Sequence, residues 1–178
     1  MSKTPKSVDR RGREDLELFI MALITRELST PYDLQSKAGI SQGASLPALR
    51  RLEASGFVIK GEESARRRLE YQVTGRGKKH LESSWKALLQ SRTGDFDALL
   101  RAACVALLMG ERVKVVAQYL ANASKLRKSV GPASLSGGPG LRDPGLYAWM
   151  KQAGNPVRAK SEAAILKKMA SFLKKAPK

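Results

Sequence analysis

Two short stretches of this sequence combine basic and amide side chains at spacings that suit recognition of a polyanion. The first opens at Ser41 and places Gln42 and Arg50 along a segment with helical spacing. The second is a run of three arginines, Arg66 to Arg68, between two short apolar runs. Glutamine can pair with adenine through two hydrogen bonds, and arginine can pair with guanine or with phosphate. The two stretches therefore predict contacts to nucleic acid.

Catalytic chemistry has little support in the sequence. The chain contains one histidine, His80, and one cysteine, Cys104. It has no metal-ligand spacing, and no further glycine follows Gly75 and Gly77 at the spacing of a phosphate loop. We therefore expect a protein that is not an enzyme and that has no cofactor and no bound metal. His80 lies among charged residues and is predicted on the surface, whereas Cys104 lies on an apolar helix and is predicted to be a buried thiol.

The segment that opens at Ser41 is the third of three predicted helices. The first is apolar on nearly all sides from Leu16 to Leu28, which is typical of a helix buried on two faces. A proline and a glycine bound a short second helix, Tyr32–Ala38. The third, Gln42–Ser55, has Ser41 as its predicted N-cap, and Pro47 within it predicts a bent first turn.

The apolar period then changes from helical to alternating. Strands are predicted around Val58 and across Leu69–Val73, separated by a polar loop that contains the arginine run. Thr74 is predicted to cap a fourth helix that runs towards Gln90. A winged helix-turn-helix has this order of elements, namely three helices, a two-stranded ribbon and then further helices. The short glycine-containing turn before the third helix also suits that motif.

The C-terminal half is predicted to be helical on both sides of one loop. Amphipathic helices are predicted at 95–109, 113–126 and 158–174, with a shorter helix at 144–152. Residues 129–145 are dense in glycine, proline and serine, which predicts a loop. The predicted fold class is therefore mainly α with a small β-wing.

Three regions follow from this order of elements. Residues 1–14 are predicted to form a flexible basic arm. Residues 15–81 are predicted to form a winged helix-turn-helix DNA-binding domain. Residues 82–178 are predicted to form a helical region for dimerisation and effector binding.

Three stretches, covering roughly the first half of the chain, carry a fairly specific combination of motifs. They are TPYDLQSKAGIS at 30–41, SQGASLPALRRLEASGFV at 41–58 and RRRLEYQVTGRGKKHL at 66–81. The second contains Pro-Ala-Leu-x-Arg-Leu-Glu, and the third contains a Tyr-x-x-Thr-x-x-Gly exit from the ribbon. This combination resembles the PadR family of transcriptional regulators.

The resemblance implies a homodimer formed through C-terminal helices, and repression of transcription that a small molecule or a stress signal relieves. It also implies that the third helix and the wing bind double-stranded DNA. The chain departs from the family where Ala44-Ser45-Leu46 stands in place of a common Thr-Leu-Tyr. Leu46 cannot donate the hydrogen bond of the family tyrosine, but it can pack on the methyl group of thymine.

Two groups of residues form the predicted DNA-binding surface. The recognition helix contributes Ser41, Gln42, Leu46, Pro47, Arg50 and Arg51. The wing contributes Lys60, Arg66, Arg67, Arg68 and Arg76. The alternatives are that the helix cations are solvated surface charges and that the arginine run is a solubilising loop that protects an edge strand.

A dimer interface is predicted from the apolar faces of the first and last helices, because one winged helix cannot cover them all. Its residues are Leu16, Phe19, Ile20, Leu23, Ile165, Leu166, Met169, Phe172 and Leu173. Packing of the last helix onto the first within one chain is the alternative. A candidate effector pocket is predicted from Trp85, Tyr147 and Trp149, for which an ordinary core role is the alternative.

The formal net charge of +17 fits a nucleic-acid partner, although most of the excess lies beyond residue 80. The N-terminus lacks an apolar signal core and no apolar run is long enough to span a bilayer, so we expect a cytoplasmic protein without a membrane partner. The first hypothesis is a sequence-specific regulator that binds double-stranded DNA. A winged helix that binds RNA or the ribosome stays open, as does a membrane-surface or partner-binding protein that uses the basic helix at 158–174.

Overall fold

The computed structural model of the chain describes residues 6–63, 69–90, 96–128 and 146–175, with side chains described in 13–61, 69–90, 96–128 and 158–175. The described elements are α1 (Lys6–Ile24), α2 (Pro31–Ala38), α3 (Gln42–Ala54), β1 (Val58–Glu63), β2 (Leu69–Val73), α4 (Gly75–Leu88), α5 (Phe96–Leu108), α6 (Val113–Lys128) and α7 (Leu146–Lys175). The prediction of a mainly helical chain with a small β element is confirmed. The loop predicted at 129–145 lies outside the described residues.

The chain divides into two compact units, Met1–Glu111 and Arg112–Lys178. The boundary therefore follows α5, whereas the sequence placed a domain boundary after residue 81. The physical reason is that α5 packs against α1 and α4 of the first unit. Its buried side chains, which include Leu99 and Val105, are mostly small or β-branched residues that allow this close packing.

Helix α1 forms the centre of the first unit. Ile20 and Met21 are fully buried, because the helix packs against α3, α4 and α5. This packing explains why apolar residues occur on nearly all sides of the helix. The helix begins at Lys6, so residues 6–14, which the charge pattern predicted as a flexible arm, are helical.

Local hydrogen bonds fix both ends of α2. The hydroxyl of Thr30 accepts a hydrogen bond from the backbone N–H of Asp33 at 3.0 Å and donates one to the Asp33 carboxylate at 2.7 Å. Pro31 follows at a first-turn position, where its missing N–H leaves no helical hydrogen bond unmade. Gly39 ends the helix in the left-handed region with a φ of 69°. The predicted start and end of this helix are confirmed.

The start of α3 is less complete. Ser41 is the residue before the helix, and its carbonyl accepts from the backbone N–H groups of Ala44 and Ser45 at 3.0 and 2.9 Å. Its hydroxyl makes no capping hydrogen bond, contrary to the prediction. Pro47 lies inside the helix, and the bend expected there stays a prediction.

Strands β1 and β2 form a two-stranded antiparallel sheet, with Val58 opposite Val73 and Lys60 opposite Tyr71. The register shifts between Lys60 and Glu63, which marks an irregularity towards the far end of the ribbon. Val58 and Tyr71 turn inward and are buried. The backbone N–H of Tyr71 also donates to the carbonyl of Ser29 at 2.8 Å, so the ribbon is attached to the segment that precedes α2.

Helix α4 follows the ribbon after a single residue. The Thr74 hydroxyl accepts from the N–H of Gly77 at 3.0 Å and donates to the carbonyl of Gly56 at 2.8 Å, which confirms the predicted cap. Gly77 packs against the backbone of Phe57. A β-carbon at Gly77 would overlap the Phe57 carbonyl oxygen and approach Val73 Cγ1 at 2.8 Å, so only glycine fits there.

The second unit is a pair of packed helices, α6 and α7. Ala163 and Leu166 of α7 are fully buried, and the Ala163 carbonyl accepts a hydrogen bond from the Ser124 hydroxyl at 2.8 Å. Glu162, which is 7% exposed, bonds the guanidinium groups of Arg127 and Arg158. The buried carboxylate is thus satisfied by two cationic partners, of which Arg127 joins α6 to α7 and Arg158 lies on α7 itself.

The sequence predicted two helices where the structure has the single helix α7. The expected break at Gly154 to Pro156 does not occur, and the backbone is helical through Pro156. A proline inside a helix removes one hydrogen bond and crowds the carbonyl four residues earlier. The helix as a whole packs against α6, and tertiary contacts often override local propensity.

Candidate nucleic-acid interface

Helix α3 has one buried and one exposed side. Ser45, Ala48, Leu49 and Leu52 are buried. The opposite side carries four exposed residues at spacings of three and four, namely Gly43, Pro47, Arg50 and Ala54. Arg50 is thus the charged residue at the centre of a face otherwise made of small or short side chains. Such a face lets the helix backbone approach a groove closely and presents one guanidinium to it.

The N-terminal end of α3 adds polar groups beside this face. Ser41 and Gln42 are exposed, and Leu46 is half-buried one turn later. The backbone N–H groups of the first helical turn have no partner within the helix and carry partial positive charge. These predicted contact residues therefore lie together with Pro47 and Arg50 at one end and one side of α3.

Arg51 does not belong to the exposed face. Its side chain turns towards α1, where its Nε donates to Oε1 of Glu17 at 2.5 Å. The Arg51 side chain is 41% exposed and that of Glu17 is 22% exposed. This ion pair joins α3 to the centre of the first unit. The sequence grouped Arg51 with the DNA-contacting residues, but the structure gives it a contact within the fold.

Two cations of the predicted wing also have partners within the unit. Lys60 pairs with Glu53 of α3, with 3.2 Å between Nζ and the carboxylate oxygen. The guanidinium of Arg76 lies over the ring of Phe57 at 5.3 Å from its centroid. Both side chains stay exposed, because Lys60 is at the surface of β1 and Arg76 is in the first turn of α4. Arg66, Arg67 and Arg68 lie outside the described residues.

The stacked pair of Phe57 and His80 was not anticipated. The two rings are nearly parallel, with an angle of 6° and 4.3 Å between centroids. His80 was predicted to be a surface residue among charged neighbours, and it is half-buried instead. The pair is separated by more than twenty positions in the chain, so no local spacing in the sequence signals it.

No family model matches the chain. Neither a curated protein nor a solved structure is detectably similar to it. The PadR resemblance therefore rests on the Pro-Ala-Leu-x-Arg-Leu-Glu segment of α3 and on the exit from the ribbon.

The residues predicted for dimerisation fall into three groups. Ile20, Leu23 and Leu166 are buried inside their own units and leave no surface for a partner, which corrects their assignment. Leu16, Phe19 and Leu173 are half-buried. Ile165, Met169 and Phe172 form an exposed stripe along α7 and are 42%, 38% and 72% exposed. The stripe is distinct from the face that packs against α6.

The predicted effector pocket is not assembled from the described side chains. Trp85 is 7% exposed and belongs to the core of the first unit, beside Leu81 and Leu88 on the buried face of α4. Tyr147 and Trp149 are on α7, and their side chains lie outside the described residues. The alternative of an ordinary core role is therefore the better account of Trp85.

Cys104 differs from its prediction as well. It is exposed on α5, whereas the apolar helix predicted a buried thiol. Neighbouring atoms nevertheless desolvate the thiol and raise its pKa above the ordinary cysteine value.

Two further features of the described residues bear on other kinds of site. Their helices include none with the length and apolar character needed to cross a bilayer. Their histidine, cysteine and acidic side chains form no group of three that could hold a metal ion.

Proposed function

We propose that this protein is a sequence-specific regulator of transcription, of the repressor type, that binds double-stranded DNA through a winged helix-turn-helix. The observation that carries the proposal is the exposed face of α3 centred on Arg50, with a two-stranded ribbon directly after the helix. A helix with one exposed side and one buried side, preceded by a short helix and a tight turn, suits insertion into the major groove.

In this proposal α3 enters the groove with its N-terminal end leading. Gln42 pairs with adenine through its amide, and Arg50 pairs with guanine or contacts phosphate. Leu46 and Pro47 provide apolar contacts, including contacts to thymine methyl groups. Because the face has few polar side chains, direct reading covers few base pairs, and the rest of the specificity comes from DNA shape.

The ribbon supplies the second contact. The sequence between its two strands contains Arg66, Arg67 and Arg68, and we propose that they bind phosphates or enter a narrow minor groove. Lys60 and Arg76 are weaker candidates, because each has a partner within the unit. Each phosphate that the protein neutralises contributes about −0.9 to the slope of log affinity against log salt concentration.

A homodimer is the proposed active form. The exposed stripe of Ile165, Met169 and Phe172 supports it, because an apolar face of this kind on a packed helix pair is stabilised by covering it. A dimer that reads successive major grooves on one face of the duplex needs its two α3 helices about 34 Å apart. The expected operator is therefore a pseudo-palindrome.

Selection of bound duplexes from a random pool tests this proposal. The full chain is expected to enrich a pseudo-palindromic sequence and to bind it tightly and with strong dependence on salt. Arg50→Ala is expected to lower affinity by roughly tenfold or more, since a good bidentate contact is worth about 1–3 kcal/mol. Lys114→Ala, which removes an exposed lysine of the second unit, is the matched control.

Two results would contradict the proposal. One is a clear preference for structured RNA over duplex DNA at physiological salt, which would favour the RNA-binding alternative. The other is an unchanged DNA affinity in the Arg50→Ala variant, which would show that α3 does not contact DNA with its exposed face.

A further inference from the structure

The two units of the chain carry very different charge. Residues 112–178, the second unit, contain 14 lysines and arginines but only two acidic residues, a net charge of +12 out of the +17 of the whole chain. The first unit, which contains α3 and the ribbon, therefore has a net charge of only +5. Electrostatic attraction to phosphates supplies nearly all of the sequence-independent affinity of proteins for DNA. The charge that would produce this affinity lies mainly outside the unit proposed to read the sequence.

Five exposed lysines form one face of α7, which we call the lysine face. Residues seven positions apart are nearly two full turns apart in a helix and lie on the same side of it. Two such series are adjacent on α7, with the small residues Ala164 and Ser171 between them. The lysine face consists of Lys160, Lys167 and Lys174 in one series and Lys168 and Lys175 in the other. Because the residues between them are small, all five ammonium groups are accessible to a large polyanion.

Among the described side chains, no negative charge offsets the lysine face. Glu162 is the sole acidic residue in 158–175, and it is buried and bonded to two arginines. The ion pairs of the described residues include none of the five lysines. Helix α4 differs, because Glu82 lies between Lys79 and Lys86 on its exposed side. The lysines of α7 therefore repel one another, and a bound polyanion would relieve this repulsion.

The exposed stripe lies on a different side of α7 from one series of these lysines. Lys167 is two positions from both Ile165 and Met169. Lys174 is likewise two positions from Phe172. Two residues turn an α-helix by about 200°, so the side chains in each of these pairs leave the helix in nearly opposite directions. A membrane that took up the stripe would turn Lys167 and Lys174 away from its headgroups. A dimer formed through the stripe would leave them uncovered, which favours a nucleic acid as the partner of the lysine face.

We propose that the lysine face of α7 binds the phosphate backbone of duplex DNA without reading its sequence. Lysine is a flexible point charge that contacts phosphate through its ammonium group, and such contacts carry no sequence information. In this arrangement α3 selects the sequence, and the second unit supplies much of the affinity that is common to all sequences. The choice of duplex DNA as the polyanion rests on the proposed function. The charge and the geometry of the lysine face do not depend on it.

Binding of the full chain to a duplex that lacks any selected site tests this surface, with fluorescence anisotropy measured over a series of salt concentrations. Lys160→Gln/Lys167→Gln is expected to make the slope of log affinity against log salt concentration shallower by about 1.8, since each phosphate contact contributes about 0.9. The affinity at low salt is expected to fall by roughly tenfold or more. Lys160→Arg/Lys167→Arg keeps both charges and is expected to retain the wild-type slope.

Lys79→Gln/Lys86→Gln is the matched control. It removes two exposed lysines that are also seven positions apart, from α4 of the first unit, and it is expected to leave the slope unchanged. Glutamine and lysine have similar helix propensities, so both variants are expected to fold as the wild type does. An equal reduction of the slope in the two glutamine variants would show an effect of bulk charge and would overturn the proposal. So would a wild-type slope in Lys160→Gln/Lys167→Gln.

Two further measurements with Lys160→Gln/Lys167→Gln separate other partners from DNA. The first is sedimentation with vesicles of phosphatidylserine and phosphatidylcholine, and the second is binding to an RNA duplex of the same length. If the variant loses affinity for the vesicles or for the RNA but keeps the wild-type slope with DNA, the lysine face binds that other partner and the proposal is overturned.

Failure of this proposal differs from failure of the proposed function. A selected operator whose binding depends on Arg50, but keeps the wild-type salt slope in Lys160→Gln/Lys167→Gln, would overturn the role of the lysine face alone. A shallower slope in that variant, with no operator enriched from the pool and no effect of Arg50→Ala, would leave the lysine face standing and would contradict the proposed function.

Discussion

Arg51 of α3 and Glu17 of α1 form an ion pair in which Nε and Oε1 are 2.5 Å apart. The pair joins the helix proposed to read DNA to the central helix of its unit. It also explains why two adjacent arginines have different environments. Arg50 points away from the fold, and Arg51 is held against it.

The first prediction concerns this pair. Arg51→Ala is expected to lower the free energy of unfolding by about 0.2–1 kcal/mol, because the pair is partly exposed. Its effect on DNA affinity is expected to be smaller than that of Arg50→Ala. Chemical denaturation of the wild type, Arg51→Ala, Glu17→Ala and the double variant completes a double-mutant cycle. The cycle measures the coupling free energy between the two side chains. If Arg51→Ala weakens DNA binding more than Arg50→Ala does, the assignment of the two arginines is reversed.

The second prediction concerns the close contact between α4 and the segment before β1. Gly77→Ala is expected to destabilise the protein by about 1–3 kcal/mol or more, because the added carbon overlaps the Phe57 carbonyl. Gly75→Ala is the control, since a β-carbon there meets nothing within 4 Å. Denaturant midpoints of the two variants measure the difference. Similar midpoints would show that the backbone relaxes easily at Gly77.

The third prediction concerns Ser45, which is fully buried on α3 and whose hydroxyl has no partner among the described residues. Ser45→Ala is expected to raise the free energy of unfolding by about 0.5–1 kcal/mol. It removes an unsatisfied polar group and also favours the helix. Ser83→Ala on the exposed side of α4 serves as the control. A lower thermal midpoint for Ser45→Ala would mean that the hydroxyl has an acceptor in solution.

The fourth prediction concerns pH. The hydrogen bond from Thr30 and the nearby ammonium of Lys37 hold the pKa of Asp33 below its ordinary value. A carboxylate with a lowered folded-state pKa stabilises the protein above its unfolded pKa, and this contribution is lost as pH falls through the folded pKa. Asp33→Asn is therefore expected to lower stability near neutral pH and to reduce its loss in acid.

Urea denaturation of the wild type and Asp33→Asn from pH 7 to pH 3 checks this fourth prediction. Glu82→Gln removes an exposed carboxylate of α4 and is the matched control. If the free energy of unfolding falls equally with pH in the wild type and in Asp33→Asn, the helix cap has no part in the acid sensitivity.

The fifth prediction concerns the exposed stripe on α7. Phe172→Asp is expected to shift the protein from dimer to monomer in sedimentation velocity, because a buried charge would face the partner stripe. Ser171→Asp changes the neighbouring exposed residue and is expected to leave the dimer intact. A wild-type chain that is monomeric at micromolar concentration would count against the dimer itself.

Local signals explain why much of the first unit could be anticipated from the sequence. Thr30, Pro31 and Gly39 fix the ends of α2 through interactions with their own neighbours, and Thr74 does the same for α4. Apolar and polar residues alternate across Leu69–Val73, which is typical of a strand with one buried face. Tyr71 is the buried residue of that face. The predicted ends of these elements therefore agree with the structure closely.

Features that depend on distant partners were missed or misjudged. The burial of Ile20 depends on α3, α4 and α5 together, and the pairing of Arg51 depends on Glu17, which is 34 positions away. Helix α7 is continuous through Pro156, although local propensity argued against it.

The hydrogen bond from the Tyr71 amide to the Ser29 carbonyl makes the ribbon and the entry to α2 a single mechanical element. In the proposed DNA complex, a tilt of the ribbon would therefore be felt at Ser29, the residue that leads into the Thr30 cap. The proposal thus predicts that the angle at which α2 and α3 meet the duplex depends on the position of the ribbon, so that the two contacts form together.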